Sequence, residues 1–296
     1  MSLHLENHPP FQPQRRWVLK TCASGVLFGA GGFGTAAWAA QPPLALSTAI
    51  NRSGRLRALS QRIAKAYTQV TLDVLPERSL EVMTLGQNLV RSSLVELGSA
   101  GFSAEISALL TVCRTESEHL LSLLTGAPAT DRLGDINKAA DQMLASAERL
   151  TGGLQGSGKA GARIINISGR QRMLSQRIAK CFMLIEAGQD SAGLSRQLDA
   201  ARSEFVLAMD TLEAAPVSTK AIKEGLALAR MQWVFFQSAL SGRDKVVARR
   251  DVATTSERVL EVMDNLTGLY DAALKELLGS VAYTDTRYAG LWQPAG

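Results

Sequence analysis

Sixteen consecutive residues of this chain are written twice, and the second copy limits what the rest can fold into. Ile50 to Lys65 reads I-N-R-S-G-R-L-R-A-L-S-Q-R-I-A-K, and Ile165 to Lys180 reads I-N-I-S-G-R-Q-R-M-L-S-Q-R-I-A-K. Only Arg52/Ile167, Leu56/Gln171 and Ala58/Met173 differ, so 13 of 16 positions agree at an offset of 115. Fainter echoes follow at an offset of 116: Arg114 with Arg230, Gly126 with Gly242, Asp135 with Asp251, and Leu150-Thr151 with Leu266-Thr267. Solenoid units run roughly 20–50 residues, so a period this long indicates a duplicated domain. The expected division is a leader over 1–39, a first repeat over 40–155, a second over 156–280 and a tail over 281–296.

Each repeat reads as four helices. In the first they are expected near 44–75, 79–98, 103–125 and 133–151, with Pro76, Gly98 to Gly101 and Gly126-Ala127-Pro128 as breaks. Thr151 to Gly158 is glycine-rich and separates the halves. The second set is expected near 160–188, 191–214, 218–241 and 250–278. No alternating strand pattern occurs, so the fold class is all-α: two tandem four-helix-bundle-like repeats, docked side by side as a pseudo-dimer or stacked end to end.

The first forty residues read as an export signal. Arg15-Arg16-Trp17-Val18-Leu19-Lys20 resembles the twin-arginine motif, an apolar glycine-rich stretch follows, and Ala37-Trp38-Ala39 is a small-x-small cleavage site. The expected location is periplasmic, with no membrane span after signal removal. The formal net charge is +5, about +3 without the leader, which suits a small anion and argues weakly for nucleic acid. Cys113 and Cys181 lie in apolar helical settings and read as buried thiols. With His119 the only histidine after the leader, neither a metal site nor a cofactor is expected. No nucleophile–base set or phosphate loop is visible, so no enzyme is expected.

At 100° per residue, Leu56, Leu59, Ile63, Tyr67 and Val70 share an arc that should face the bundle core. A second stripe carries more information. Ser53, Arg57, Ser60 and Ala64 recur at i, i+4, i+7 and i+11, and Ser168, Arg172, Ser175 and Ala179 repeat the same types. Small side chains at this spacing admit a close helix neighbour, and Gly54 and Gly169 stand beside the stripe. If the two seams face each other, Arg57 and Arg172 meet. Two guanidinium groups a few ångströms apart repel by several kcal/mol at an effective dielectric near about 20, and neither deprotonates. Neither block contains an Asp or Glu, so no partner comes from the helix itself. The arrangement therefore predicts an anion between the arginines, a planar oxyanion matching the guanidinium fork. Asn51 and Asn166 are expected to add hydrogen bonds. Arg62, Arg177, Ser53 and Ser168 are secondary candidates. The competing view makes these arginines ordinary solvated or paired surface residues.

The blocks resemble the N-terminal sensor domain of type IV pilus methyl-accepting chemotaxis transducers, the PilJ-type domain. They are also similar to the P-box of nitrate/nitrite-sensing histidine kinases of the NarX and NarQ kind, I-N-x-[AS]-G-x-x-R-M-x-S-x-R. Ile50, Asn51, Ser53, Gly54, Arg57, Ser60 and Arg62 match in the first copy; Ile165, Asn166, Ser168, Gly169, Arg172, Met173, Ser175 and Arg177 match in the second. The resemblance implies that Arg57 and Arg172 bind nitrate or nitrite, as one arginine from each subunit does in those kinases. Ala58 departs from the box methionine, and no kinase or methylation region follows. A separate protein partner would then carry the output. The alternative is a non-catalytic structural or interaction module of the cell envelope, pilus- or chemotaxis-linked.

Overall fold

The computed structural model describes residues 44–156 and 161–288, with side chains described as far as residue 277. The segment expected to be a twin-arginine leader, residues 1–39, and the end of the expected tail lie outside the described residues. Among the described residues eight α-helices follow in chain order: α1 (Leu46–Thr71), α2 (Pro76–Gly98), α3 (Ala104–Leu123), α4 (Leu133–Gly156), α5 (Gly161–Glu186), α6 (Ser191–Glu213), α7 (Lys220–Leu240) and α8 (Lys245–Tyr288). A 3-10 turn at Thr130–Arg132 leads into α4. Among the described residues there is no strand, and none of the described helices is long and apolar enough to cross a membrane.

Local chemistry sets the helix ends, and five of them differ from the sequence expectation by three residues or more. α1 stops at Thr71 because Asp73 and Leu75 take positive φ angles of 54° and 49°. Pro76 opens α2 instead of interrupting the chain before it, since its missing N–H is one of the unpaired first-turn donors anyway. α4 continues through Gly152 and Gly153 to Gly156. Gly153 lets α3 come close, for a Cβ there would sit 2.8 Å from Leu109 Cδ1. α8 begins at Lys245, since Asp244 Oδ1 accepts from the backbone N–H groups of Val246 and Val247 at 2.9 and 3.1 Å. Its helical backbone extends to Tyr288, into the segment expected to be a tail; no proline falls within it. Ser103 and Thr219 cap α3 and α7, accepting from Ile106 and Ile222 N–H.

The two blocks lie on α1 and α5, and these helices form the most extensive packing in the molecule. Side-by-side docking is therefore the arrangement observed. α1 packs on α2 and α4, α5 packs on α6 and α8, and α3 and α7 lie against α4 and α8. Two apolar cores result. One gathers Leu56, Ile63, Tyr67, Val90, Cys113, Met143 and Leu150; the other gathers Ile178, Met183, Phe205, Trp233, Phe236, Met263 and Tyr270. Trp233 stacks on Phe205 with ring centroids 4.2 Å apart. Cys113 and Cys181 are buried free thiols. The α1 arc behaves as expected from its period: Leu56, Leu59, Ile63 and Tyr67 are all buried, with Val70 at the margin.

Candidate functional site: the arginine seam

The stripe of small residues and arginine on each block faces the other. Ser53, Arg57, Ser60 and Ala64 are buried, as are Ser168, Arg172, Ser175 and Ala179; each arginine is 1% exposed. The serine hydroxyls donate to carbonyls of their own helix, Ser53 to Ile50 and Ser168 to Ile165, each at 3.1 Å. They keep the seam narrow and leave the central space to the guanidinium groups.

Both guanidinium groups occupy the gap beside the paired glycines. A Cβ on Gly54 would lie 3.0 Å from Arg57 Nη2 and 3.5 Å from Arg172 Nη2; one on Gly169 would lie 3.1 Å from Arg172 Nη2 and 3.6 Å from Arg57 Nη2. Equivalent residues thus stand at one level, and α1 and α5 run parallel. Helical side chains lean toward the N-terminus, which carries each arginine past its own glycine toward the opposite helix. Arg172 Nη2 donates to Asn51 Oδ1 at 2.9 Å and to the Asn51 carbonyl at 3.3 Å; Arg57 Nη2 donates to the Asn166 carbonyl at 3.4 Å. The structure therefore brings together six predicted residues: Arg57, Arg172, Gly54, Gly169, Asn51 and Asn166.

The blocks themselves hold no Asp or Glu, and the carboxylates that meet the arginines come from other helices, α4 and α8. Arg57 Nη1 donates to Glu148 Oε2 at 3.1 Å, and Arg172 Nη1 donates to Asp264 Oδ1. Glu148 also accepts from Arg170, and Asp264 from Arg55 at 3.4 Å. Arg170 holds Glu204 as well. Each bridging carboxylate thus spans one inner arginine of its own half and one outer arginine of the other. Glu148 and Asp264 stand 116 apart, in the register of the other repeat echoes. That offset was the signal that could have revealed them.

Burial pulls Arg57 and Arg172 below the ordinary arginine range, Arg172 to about 10, which still leaves it charged at neutral pH. Burial also opposes ionisation of Asp264, but Arg172 and Arg55 outweigh it and hold the carboxyl below its usual range. Arg57 and Arg172 are buried at the centre of the seam, and the partly exposed Arg55 and Arg170 with Glu148, Asp264 and Glu204 surround them, four arginines against three carboxylates. Arg57 Nε and Asn166 Oδ1 are buried and have no hydrogen-bond partner.

Arg62 and Arg177 do not join this group. Arg62 Nε donates to Glu257 at 3.1 Å, and Arg177 Nη2 donates to Gln197 at 3.1 Å. Arg114 and Arg230 also lie elsewhere, engaged by the Leu94 carbonyl and by Asp210 and Glu213. One to two turns beyond the arginines a second symmetric layer forms. Lys65 donates to Glu257 at 2.6 Å, Lys180 to Asp141 at 2.6 Å, Gln61 to the Ala140 carbonyl and Gln176 to the Ser256 carbonyl.

No curated protein and no solved structure matches the chain. A family model does match part of it, over a segment that opens at the end of α4, takes in α5 with the second arginine block and α6, and ends within α7. Residues 156–234 match the family described as the type IV pili methyl-accepting chemotaxis transducer N-terminal domain, which relates this segment to the sensing and signalling modules of such transducers.

Proposed function

We propose that the protein is a periplasmic sensor, exported by the twin-arginine route, that captures a small oxyanion, nitrate or nitrite, between Arg57 and Arg172. The first half is read as a second copy of the domain matched over 156–234, because its block repeats 13 of 16 residues. A protein partner receives the signal, carried by shifts of an ångström or two between helices. The observation that carries this reading is the convergence of two equivalent guanidinium groups against Gly54 and Gly169. Like charges buried side by side favour an anion with several acceptors, and the planar fork of arginine selects oxyanions.

A second reading has its own support. Glu148 and Asp264 already neutralise the inner arginines, as they would in a purely structural seam of an envelope interaction module. Thermal unfolding of the full chain in nitrate, nitrite, chloride or sulfate at constant ionic strength separates the two. At a hundredfold over Kd a specific ligand adds about 2.7 kcal/mol, which raises Tm by several degrees. A rise selective for nitrate or nitrite, lost in both Arg57→Ala and Arg172→Ala, supports the sensor. A rise equal for every anion, or none, leaves the seam structural.

A further inference from the structure

We propose that Glu148 and Asp264 are gate carboxylates, which occupy the inner arginines in the empty protein and withdraw to the outer arginines when an oxyanion enters. This rests on the anion-binding reading above. Each carboxylate bridges two arginines: Glu148 gives Oε2 to Arg57 and Oε1 to Arg170, while Asp264 Oδ1 accepts from both Arg172 and Arg55 and its Oδ2 accepts from Arg55 alone. The inner arginines are 1% exposed, whereas the outer Arg55 and Arg170 are 26% and 34% exposed, and the carboxylates 29% and 43%. A carboxylate can therefore leave its inner arginine without losing all pairing, because an outer arginine at the wet rim still holds it. The inner arginine has no such recourse. A buried charge without a counterion is strongly disfavoured, so release must coincide with arrival of another anion.

The charge balance selects the ligand class. With four arginines and three carboxylates the cluster carries one surplus positive charge. A monovalent oxyanion cancels it while the carboxylates stay at the rim; a divalent one overshoots. Arg57 Nε, buried and unpartnered, is a further donor at the same group. The exchange also changes what ties the helices together. Glu148 on α4 passes from α1 of its own half to Arg170 on α5, and Asp264 on α8 passes from α5 to Arg55 on α1. Occupancy thus shifts the tethers of the outer helices from within each half to between halves.

The test is nitrate titration of the full chain by calorimetry, comparing wild type with Glu148→Gln and Asp264→Asn. Removing the competing charge should tighten nitrate binding tenfold or more in each. Arg55→Gln and Arg170→Gln should weaken it by a similar factor, since the carboxylate then has only the inner arginine to hold. Glu96→Gln and Arg52→Gln alter the charge of a half-buried pair on α2 and α1 outside this cluster and should leave affinity within twofold, which separates contact competition from general electrostatics. If wild type binds nitrate and Glu148→Gln and Asp264→Asn bind no tighter, the gate is wrong and the anion site survives. If neither wild type nor any variant binds nitrate, the site itself is wrong. Should the carboxylate variants fail to fold, the rim variants decide: unchanged or tighter binding in both overturns the gate.

Discussion

Lys65 on α1 donates to Glu257 on α8, in the opposite half of the chain, at 2.6 Å, and the lysine is fully buried. Its counterpart is Lys180 on α5, donating to Asp141 on α4. The inner arginines take carboxylates from their own half, whereas the lysines one layer on take them from the other. This crossing makes the halves a single electrostatic unit, and it makes the ion pairs a test of how the halves depend on one another.

Breaking the Lys65–Glu257 pair from the acidic side should be severe. Glu257→Gln strands Lys65 and the nearby Arg62 without a carboxylate, and a buried pair broken this way costs about 3–5 kcal/mol. Lys65→Met should cost less than half of that, because Arg62 still holds Glu257. In urea denaturation the double variant should fall well short of the two single losses added together.

Acid should weaken the same contact. Burial opposes ionisation of Glu257, but Lys65 and Arg62 outweigh it and hold the carboxyl at about 2 against an ordinary 4.5. A carboxyl depressed on folding contributes stability that is complete above the unfolded value and is lost as pH falls through the folded one. The urea midpoint should therefore drop between pH 4.5 and 2, and Glu257→Gln should flatten the curve in that window. Asp264 is shifted in the same direction and contributes with the same sign.

Gly54→Ala and Gly169→Ala should separate stability from ligand response. Each new methyl lands 3.0–3.1 Å from the end of a flexible arginine, which can shift by a few tenths of an ångström. Replacing a mid-helix glycine gains up to about 1 kcal/mol of helix propensity, which offsets the crowding. The unfolding midpoint should stay within the equivalent of about 1 kcal/mol of wild type. The nitrate-dependent rise in Tm should nevertheless shrink, because each added methyl narrows the gap that the two guanidinium groups share. An unaltered nitrate response would show that glycine is not needed for the site.

Gly86→Ala should behave differently. Its methyl would stand 2.8 Å from Ile63 Cγ1, in the buried face of α1, where nothing yields cheaply. Overpacking of this kind costs about 1–3 kcal/mol, more than the helix propensity returns. Gly152→Ala on α4 meets nothing within 4 Å and should stabilise the protein by roughly 0.5–1 kcal/mol. Paired denaturation curves of the two variants should move in opposite directions.

The sequence by itself determined the helices, their count per half and which two of them matter most. Periodicity marked Leu56, Leu59 and Ile63 for the core, and the duplicated stripe marked Ser53, Arg57, Ser60 and Ala64 for a close contact, since both depend only on the local 3.6-residue repeat. It did not determine which carboxylates meet the arginines. Glu148 lies 91 residues from Arg57, and Asp264 lies 92 from Arg172. Their pairing depends on the antiparallel register of α4 against α1 and of α8 against α5, which side-chain packing sets. Side-by-side docking was likewise decided only in three dimensions. A seam of serine, alanine and glycine permits close approach, but burying paired charges between two cores requires both halves to be folded and in contact at once.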